Sequence, residues 1–187
     1  MDCEVGNREF THVVEAFPNP EAFEEIVLMG ENPVSDEGLA ALKRLTGLRR
    51  FFLEGESLGG KGVLNLSSPK LENLTLKRSS LSDEDLVAIA ERWKDSLEYL
   101  DVTRSSGITD RALGTLGTLP KIAGLLVGGT QVTPEGLAAL LKRRPVVHLG
   151  LDDLPWKASD LKAVGLPPTL ITLSLEGWKL SDEDLSA

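Results

Sequence analysis

The sequence predicts an α/β solenoid, a strand–helix unit written several times along one chain. Three observations predict it. Apolar triplets recur in register: seven strand-like units begin at Phe23, Leu48, Leu71, Leu97, Ile122, Val146 and Leu170, 23 to 26 residues apart. A fixed period in this range marks a stacked repeat architecture. Each unit is apolar at its first, fourth and sixth positions, as in Ile122/Leu125/Val127, and the fourth and sixth alternate as a strand with one buried face does. The remainder of a unit reads as a helix with a cap and one apolar face, as in Thr133-Pro134 followed by Leu137 and Leu140.

Taken in order, residues 1–22 stand outside the repeat and form an N-terminal helical cap. Phe10, Val13, Val14 and Phe17 fall on one helical face, Asn7 is placed to cap it, and Pro18-Asn19-Pro20 ends it. Residues 23–187 form the array of seven units, the last incomplete. A further apolar residue follows each strand across a turn: Val34, Leu58, Leu81, Ile108, Val132, Trp156 and Leu180. Ser35, Ser82, Thr109, Thr133, Ser159 and Ser181 then stand where helix N-caps belong. Acids such as Asp83-Glu84-Asp85 and Asp182-Glu183-Asp184 follow the caps, and bases such as Lys142-Arg143-Arg144 come late, the order that complements a helix dipole.

Some units depart from the pattern. The second runs Leu58-Gly59-Gly60-Lys61-Gly62 with no capping side chain, which predicts an extended outer side or a tight turn. The third is the longest, which predicts a longer helix with Leu86, Ile89, Ala90 and Trp93 as its buried stripe. Insertions around Asn32 and Gly107 are assigned to surface turns. At the far end Leu170–Leu175 reads as the outermost parallel strand, followed by one turn of a helix.

These residues resemble those of leucine-rich repeat proteins over Phe23 to the C-terminus. The wording V/I-T/S-x-x-G-L-x-x-L is similar to the short repeats of the bacterial and cysteine-containing variants, although the cysteine of the latter is missing. The resemblance implies a right-handed horseshoe with a parallel sheet on its concave face and helices on its convex face. It also implies a role in protein recognition.

Composition narrows the function. The net charge is -9, whereas phosphate contacts need clustered Lys and Arg, so no nucleic acid is expected as partner. No apolar run reaches the length of a membrane-spanning helix, and no membrane partner is expected. Cys3 is the sole cysteine and His12 and His148 the sole histidines, too few for a zinc set. No nucleophile elbow or P-loop occurs; Gly128-Gly129, Asp152-Asp153 and the pairs Ser67-Ser68, Ser79-Ser80 and Ser105-Ser106 read as turn residues. The expectation is a non-enzyme with no metal and no cofactor, cytoplasmic, and monomeric unless its edge strand pairs with another chain.

The register names the residues of the uncovered sheet face. Third positions are Glu25, Arg50, Asn73, Tyr99, Gly124, His148 and Thr172; fifth positions are Val27, Phe52, Thr75, Asp101, Leu126, Gly150 and Ser174; seventh positions run from Met29 and Glu54 to Asp152 and Glu176. Arg50, Phe52, Lys77, Tyr99, Asp101, Arg104, Leu126 and His148 are the candidate partner-binding residues, because aromatics and Arg dominate interface hot spots. The expected function is a protein–protein interaction module. Alternatives are an inhibitor or immunity-type protein that blocks a basic enzyme such as a nuclease, and a substrate-recognition arm of a larger effector or ubiquitin-ligase-like protein.

Overall fold

The structure, a computed structural model, describes residues 6–28 and 34–179. Within them strands and helices alternate: α1 (Asn7–Glu15), β1 (Glu25–Leu28), α2 (Asp36–Leu39), β2 (Arg50–Glu54), α3 (Gly60–Leu64), β3 (Asn73–Lys77), α4 (Asp83–Arg92), β4 (Tyr99–Asp101), α5 (Asp110–Leu116), β5 (Gly124–Leu126), α6 (Pro134–Arg143), β6 (His148–Gly150), α7 (Ala158–Val164) and β7 (Thr172–Ser174). The strands form one parallel sheet in the order β1-β2-β3-β4-β5-β6-β7. Parallel neighbours need a long crossover, and the helix-bearing half of each unit supplies it.

The apolar pattern sets the register. Ile26, Phe51, Leu74, Leu100, Leu125, Leu149 and Leu173, the fourth positions of the seven units, lie side by side across the sheet. In the five inner units every first, fourth and sixth position is buried. The helices close over this row with Leu39, Val63, Leu86, Ile89, Leu113, Leu116, Leu137 and Leu140, all in one continuous core. Each such side chain contributes about 1.5–3 kcal/mol by leaving water. Phe23, Ile26 and Leu28 at one end and Leu170, Leu173 and Leu175 at the other are only partly buried. Successive helices pack on one another from α1 through α7, so they cover a single face of the sheet.

A hydrogen-bonded chain links the helix N-termini. The first residue of one helix accepts from the backbone N–H of the next helix's cap. Asn7 Oδ1 accepts from Ser35 N at 2.8 Å, and Asp36 Oδ1 from Gly59 N at 2.8 Å. Asp83 Oδ1 accepts from Thr109 N and Asp110 Oδ1 from Thr133 N, both at 2.8 Å, and each threonine hydroxyl donates to the second carboxylate oxygen. Where the first helical residue is Gly60 or Pro134 and has no such oxygen, the next cap is served from its own helix. Asp85 accepts from Ser82 N at 3.1 Å and Asp160 from Lys157 N at 2.7 Å. Asp36, Asp83 and Asp110 therefore hold successive units together, in addition to countering helix dipoles.

Several expectations are corrected. Gly6, not Asn7, is the N-cap of α1; Asn7 instead bonds Ser35, donating from Nδ2 to Oγ at 2.8 Å. Phe10 and Val14 are buried but Val13 is 52% exposed. Phe17 stacks on Phe23 with centroids 4.0 Å apart, at the start of the first unit. The glycine-rich second unit does form a helix, α3, of one turn. Its glycines are required by packing: a Cβ on Gly60 would lie 2.3 Å from Asp85 Cβ, and one on Gly62 2.6 Å from Asp36 Oδ1. The third unit's helix is no longer than α6, at 10 residues each; the extra length lies in the turn through Trp93 and Ser96. Ser159 lies inside α7, whose cap is Lys157. The readings at Cys3, Met29, Asn32, Leu180 and Ser181 fall outside the described residues.

Trp93 is 1% exposed and its Nε1 donates to the Ser68 carbonyl at 2.7 Å, as its place in the core requires. Gly107, in the predicted insertion, sits where a Cβ would meet the Leu81 carbonyl oxygen at 2.3 Å. Neither chain segment there could yield without moving backbone.

Candidate functional site

The face of the sheet away from the helices collects the third and fifth positions of every unit. In parallel register the third positions run Glu25, Arg50, Asn73, Tyr99, Gly124, His148, Thr172 and the fifth Val27, Phe52, Thr75, Asp101, Leu126, Gly150, Ser174. Phe52, Tyr99 and Leu126 are part-exposed, His148 is exposed and Val27 is 55% exposed. Thr75 and Asp101, expected to face solvent, are each 3% exposed. Asp101 is covered because its carboxylate turns along the sheet: Oδ1 accepts from Thr103 N at 3.0 Å and Oδ2 pairs with Lys77 Nζ at 3.2 Å. Asp101 thus holds Lys77 in place and offers little surface of its own.

The cations of this face are engaged within the chain. Arg50 pairs with Glu25 on the neighbouring strand. Arg78 lies 3.3 Å from Glu56 and 3.7 Å from Glu54. Arg104 Nη2 lies 2.7 Å from Asp153, two strands away. It reaches across Gly129, where a Cβ would come within 3.1 Å of Arg104 Cγ. The basic component read from the sequence is therefore present but internally neutralised.

The residue after the seventh position adopts left-handed backbone in five consecutive units: Arg78 (φ 52°), Arg104 (φ 61°), Gly129 (φ 61°), Asp153 (φ 53°) and Gly177 (φ 81°). For a residue other than glycine this conformation costs roughly 1–2 kcal/mol. Arg78, Arg104 and Asp153 keep charged side chains there, and all three line a groove of about 240 Å³ at the carboxyl ends of the strands, with Leu126, Asp152 and Glu176.

A second, apolar hollow lies on the sheet face beside this groove. Its volume is about 230 Å³ and its lining includes Tyr99, Leu126, His148, Gly150, Thr172 and Ser174. Two glycines shape it. The Tyr99 ring lies over Gly124, where a Cβ would be 2.2 Å from Cδ2, and Leu126 leans over Gly150, where a Cβ would be 2.6 Å from Cγ. His148 Nδ1 and Thr172 Oγ1 are 3.1 Å apart on the rim. Burial and, secondarily, the charge of Asp101 push the Tyr99 phenol above its usual value of 10.0.

Of the eight candidate residues, the hollow and the groove bring together Lys77, Tyr99, Arg104, Leu126 and His148. Arg50 and Phe52 stand toward β1, and Asp101 is buried beneath Lys77. Sequence reasoning placed Gly124, Gly150, Thr172, Ser174, Asp152 and Glu176 on this face without choosing them as partner-binding residues, and read Asp153 as a turn residue. A signal was present: a glycine beside a large residue at the same repeat position marks where that side chain lies down.

The remaining polar groups have structural work. The Ser79 and Ser105 hydroxyls are 2.8 Å apart and both bond the Leu76 carbonyl. The Ser68 hydroxyl donates to the Leu45 carbonyl. Ser79 thus bonds within its own turn, while Ser68, Ser80 and Ser105 tie it and its neighbours to the adjoining units. Among the described residues no group of three or more His, Cys, Asp or Glu is arranged to hold a metal ion, and no helix is long and apolar enough to cross a membrane. No protein-family model matches the chain, and no curated protein matches it either.

Proposed function

We propose that the chain is a non-enzymatic protein-interaction module, a leucine-rich repeat solenoid of the short-repeat type working in the cytoplasm, and that its partner seats on the concave, helix-free face of the sheet. One observation carries this reading. Parallel sheets normally have both faces covered, yet among the described residues one face is left uncovered by helices and carries Phe52, Tyr99, Leu126 and His148. Seven strands spaced at about 4.8 Å span roughly 30 Å, which accommodates a standard interface of about 800 Å² per partner. The apolar groups sit among paired charges, the mixture of anchors and polar rim that interfaces show.

The test begins with affinity capture from native extract and identification of the partner by mass spectrometry. The purified pair is then measured with the Phe52→Ala/Tyr99→Ala chain. Neither side chain is fully buried, so the melting temperature should stay within a few degrees while affinity falls about tenfold or more. Undiminished affinity of a folded double variant contradicts the assignment of this face.

A second reading is an inhibitor of a basic enzyme, favoured by the net charge of -9 and by Asp152 and Glu176 having no ion pair among the described residues. It requires an association rate that falls steeply with salt.

A further inference from the structure

We infer that the apolar hollow over Gly150 receives an aliphatic or aromatic side chain from an extended segment of the partner, and that a Lys or Arg two residues along that segment sits against Asp152 and Glu176. This rests on the reading that the open sheet face binds protein, and it specifies the chemistry of what is bound.

The hollow selects an apolar group. Its named lining carries no carboxylate, lysine or arginine, and the Tyr99 ring and Leu126 supply its walls. A volume of about 150 Å³ suffices for a benzene-sized ring, so about 230 Å³ admits one side chain of that class. Because Gly124 and Gly150 keep Tyr99 and Leu126 lying flat, the hollow is formed before anything binds, which lowers the cost of ordering.

Charge selects the neighbouring residue. Leu126 lines both the hollow and the adjoining groove, so the two are continuous. Three cations line that groove, and each is already paired: Lys77 with Asp101, Arg78 with Glu54 and Glu56, and Arg104 with Asp153. Asp152 and Glu176 make no ion pair among the described residues, although Glu176 is near enough to Arg104 to act on its charge. Asp152 Oδ1 takes hydrogen bonds from Ser174 Oγ at 2.5 Å and from Glu176 N at 2.8 Å, which fix the carboxylate without neutralising it. Ser174 also lines the hollow, so this acid stands at its rim. Asp152 follows Gly150 by two residues, about 6.6 Å along an extended chain, and that spacing sets the separation between the apolar and basic residues of the partner. An acidic segment would find these two carboxylates opposed and the cations occupied.

The experiment titrates the full ¹⁵N-labelled chain, followed by amide chemical shifts, with three capped peptides of Gly, Ser and Thr. One carries Leu-Thr-Lys at its centre, one Leu-Thr-Glu and one Ser-Thr-Lys. The expected result is movement of the amides of Leu126, His148, Gly150 and Asp152 with the Leu-Thr-Lys peptide. Binding should weaken about fivefold when Lys becomes Glu, and again when Leu becomes Ser. In the Asp152→Asn/Glu176→Gln chain the preference for Lys over Glu should vanish while the Leu peptides still move Leu126 and Gly150. Equal binding of the Lys and Glu peptides, or preference for Glu, overturns the inference and leaves the sheet face standing as the binding surface. Movement confined to helix amides overturns both. No movement on the sheet face with any peptide also overturns the inference, and the capture experiment decides separately whether that face binds protein.

Discussion

Tyr99 is the only tyrosine in the chain, and it reports on the centre of the candidate site. Its ring lies over Gly124, and burial together with Asp101 raises the phenol above 10.0. Absorbance of the phenolate in the folded protein should therefore show a midpoint above pH 10, returning to about 10 in urea. Asp101→Asn should lower the folded midpoint without removing the shift, because burial is the larger cause. The sign for stability follows: the unfolded chain releases this proton first, so the contribution is complete below pH 10 and is lost as pH rises through the folded value. A folded-state midpoint at or below 10 contradicts the placement of the ring. At this scale the sequence disclosed identity better than orientation. Trp93 was legible as core from its place on a helical stripe. Asp101 was not, because its burial depends on a turn N–H and on Lys77 from the preceding strand, neither encoded in the alternation of β4.

The capped helix is the element on which the fold turns, and its acids join one unit to the next. Asp83 is the clearest case: it is 8% exposed and receives both the backbone N–H and the hydroxyl of Thr109. Asp83→Ala strands the cap of α5 and should cost about 2 kcal/mol in urea unfolding, since hydrogen bonds to buried charged groups contribute at this level. Asp83→Asn should cost roughly half as much or less. Asn can accept from the N–H and donate to the hydroxyl, as Asn7 does toward Ser35, and it loses chiefly the charge at the helix N-terminus. Equal losses for the two variants contradict the linkage between helices. Ser82, Thr109 and Thr133 were legible as caps because the capping residue and helical face are contiguous in sequence. The bonds that leave each helix were not, since they join residues 23 to 28 positions apart. Lys157 was missed in favour of Ser159 because Asp160 serves its N–H from within the helix. The helix at Gly60–Leu64 was missed because glycine's poor propensity was weighed without the crowding by Asp36 and Asp85 that makes glycine necessary there.

The described residues form a seven-stranded parallel sheet with helices along one face. Its register was legible from Phe23/Ile26/Leu28 onward, because a pattern with period two inside a longer period leaves one alignment that sets all fourth positions side by side on the helix-covered face. The division of the open face into an apolar hollow and a charged groove was not legible, since it depends on Tyr99 and Leu126 lying over glycines of the next strand. The same holds for the pairing that neutralises Arg50, Arg78 and Arg104. The proposed function requires that this open face, rather than the helical one, meets the partner. Hydroxyl-radical footprinting of the chain alone and with its captured partner tests that claim most directly, because it reads side-chain exposure one residue at a time. Phe52, Tyr99, Leu126 and His148 should lose reactivity in the complex while exposed Val13 on α1 keeps its own. Protection of helix residues, with those four side chains as reactive as in the free chain, contradicts it.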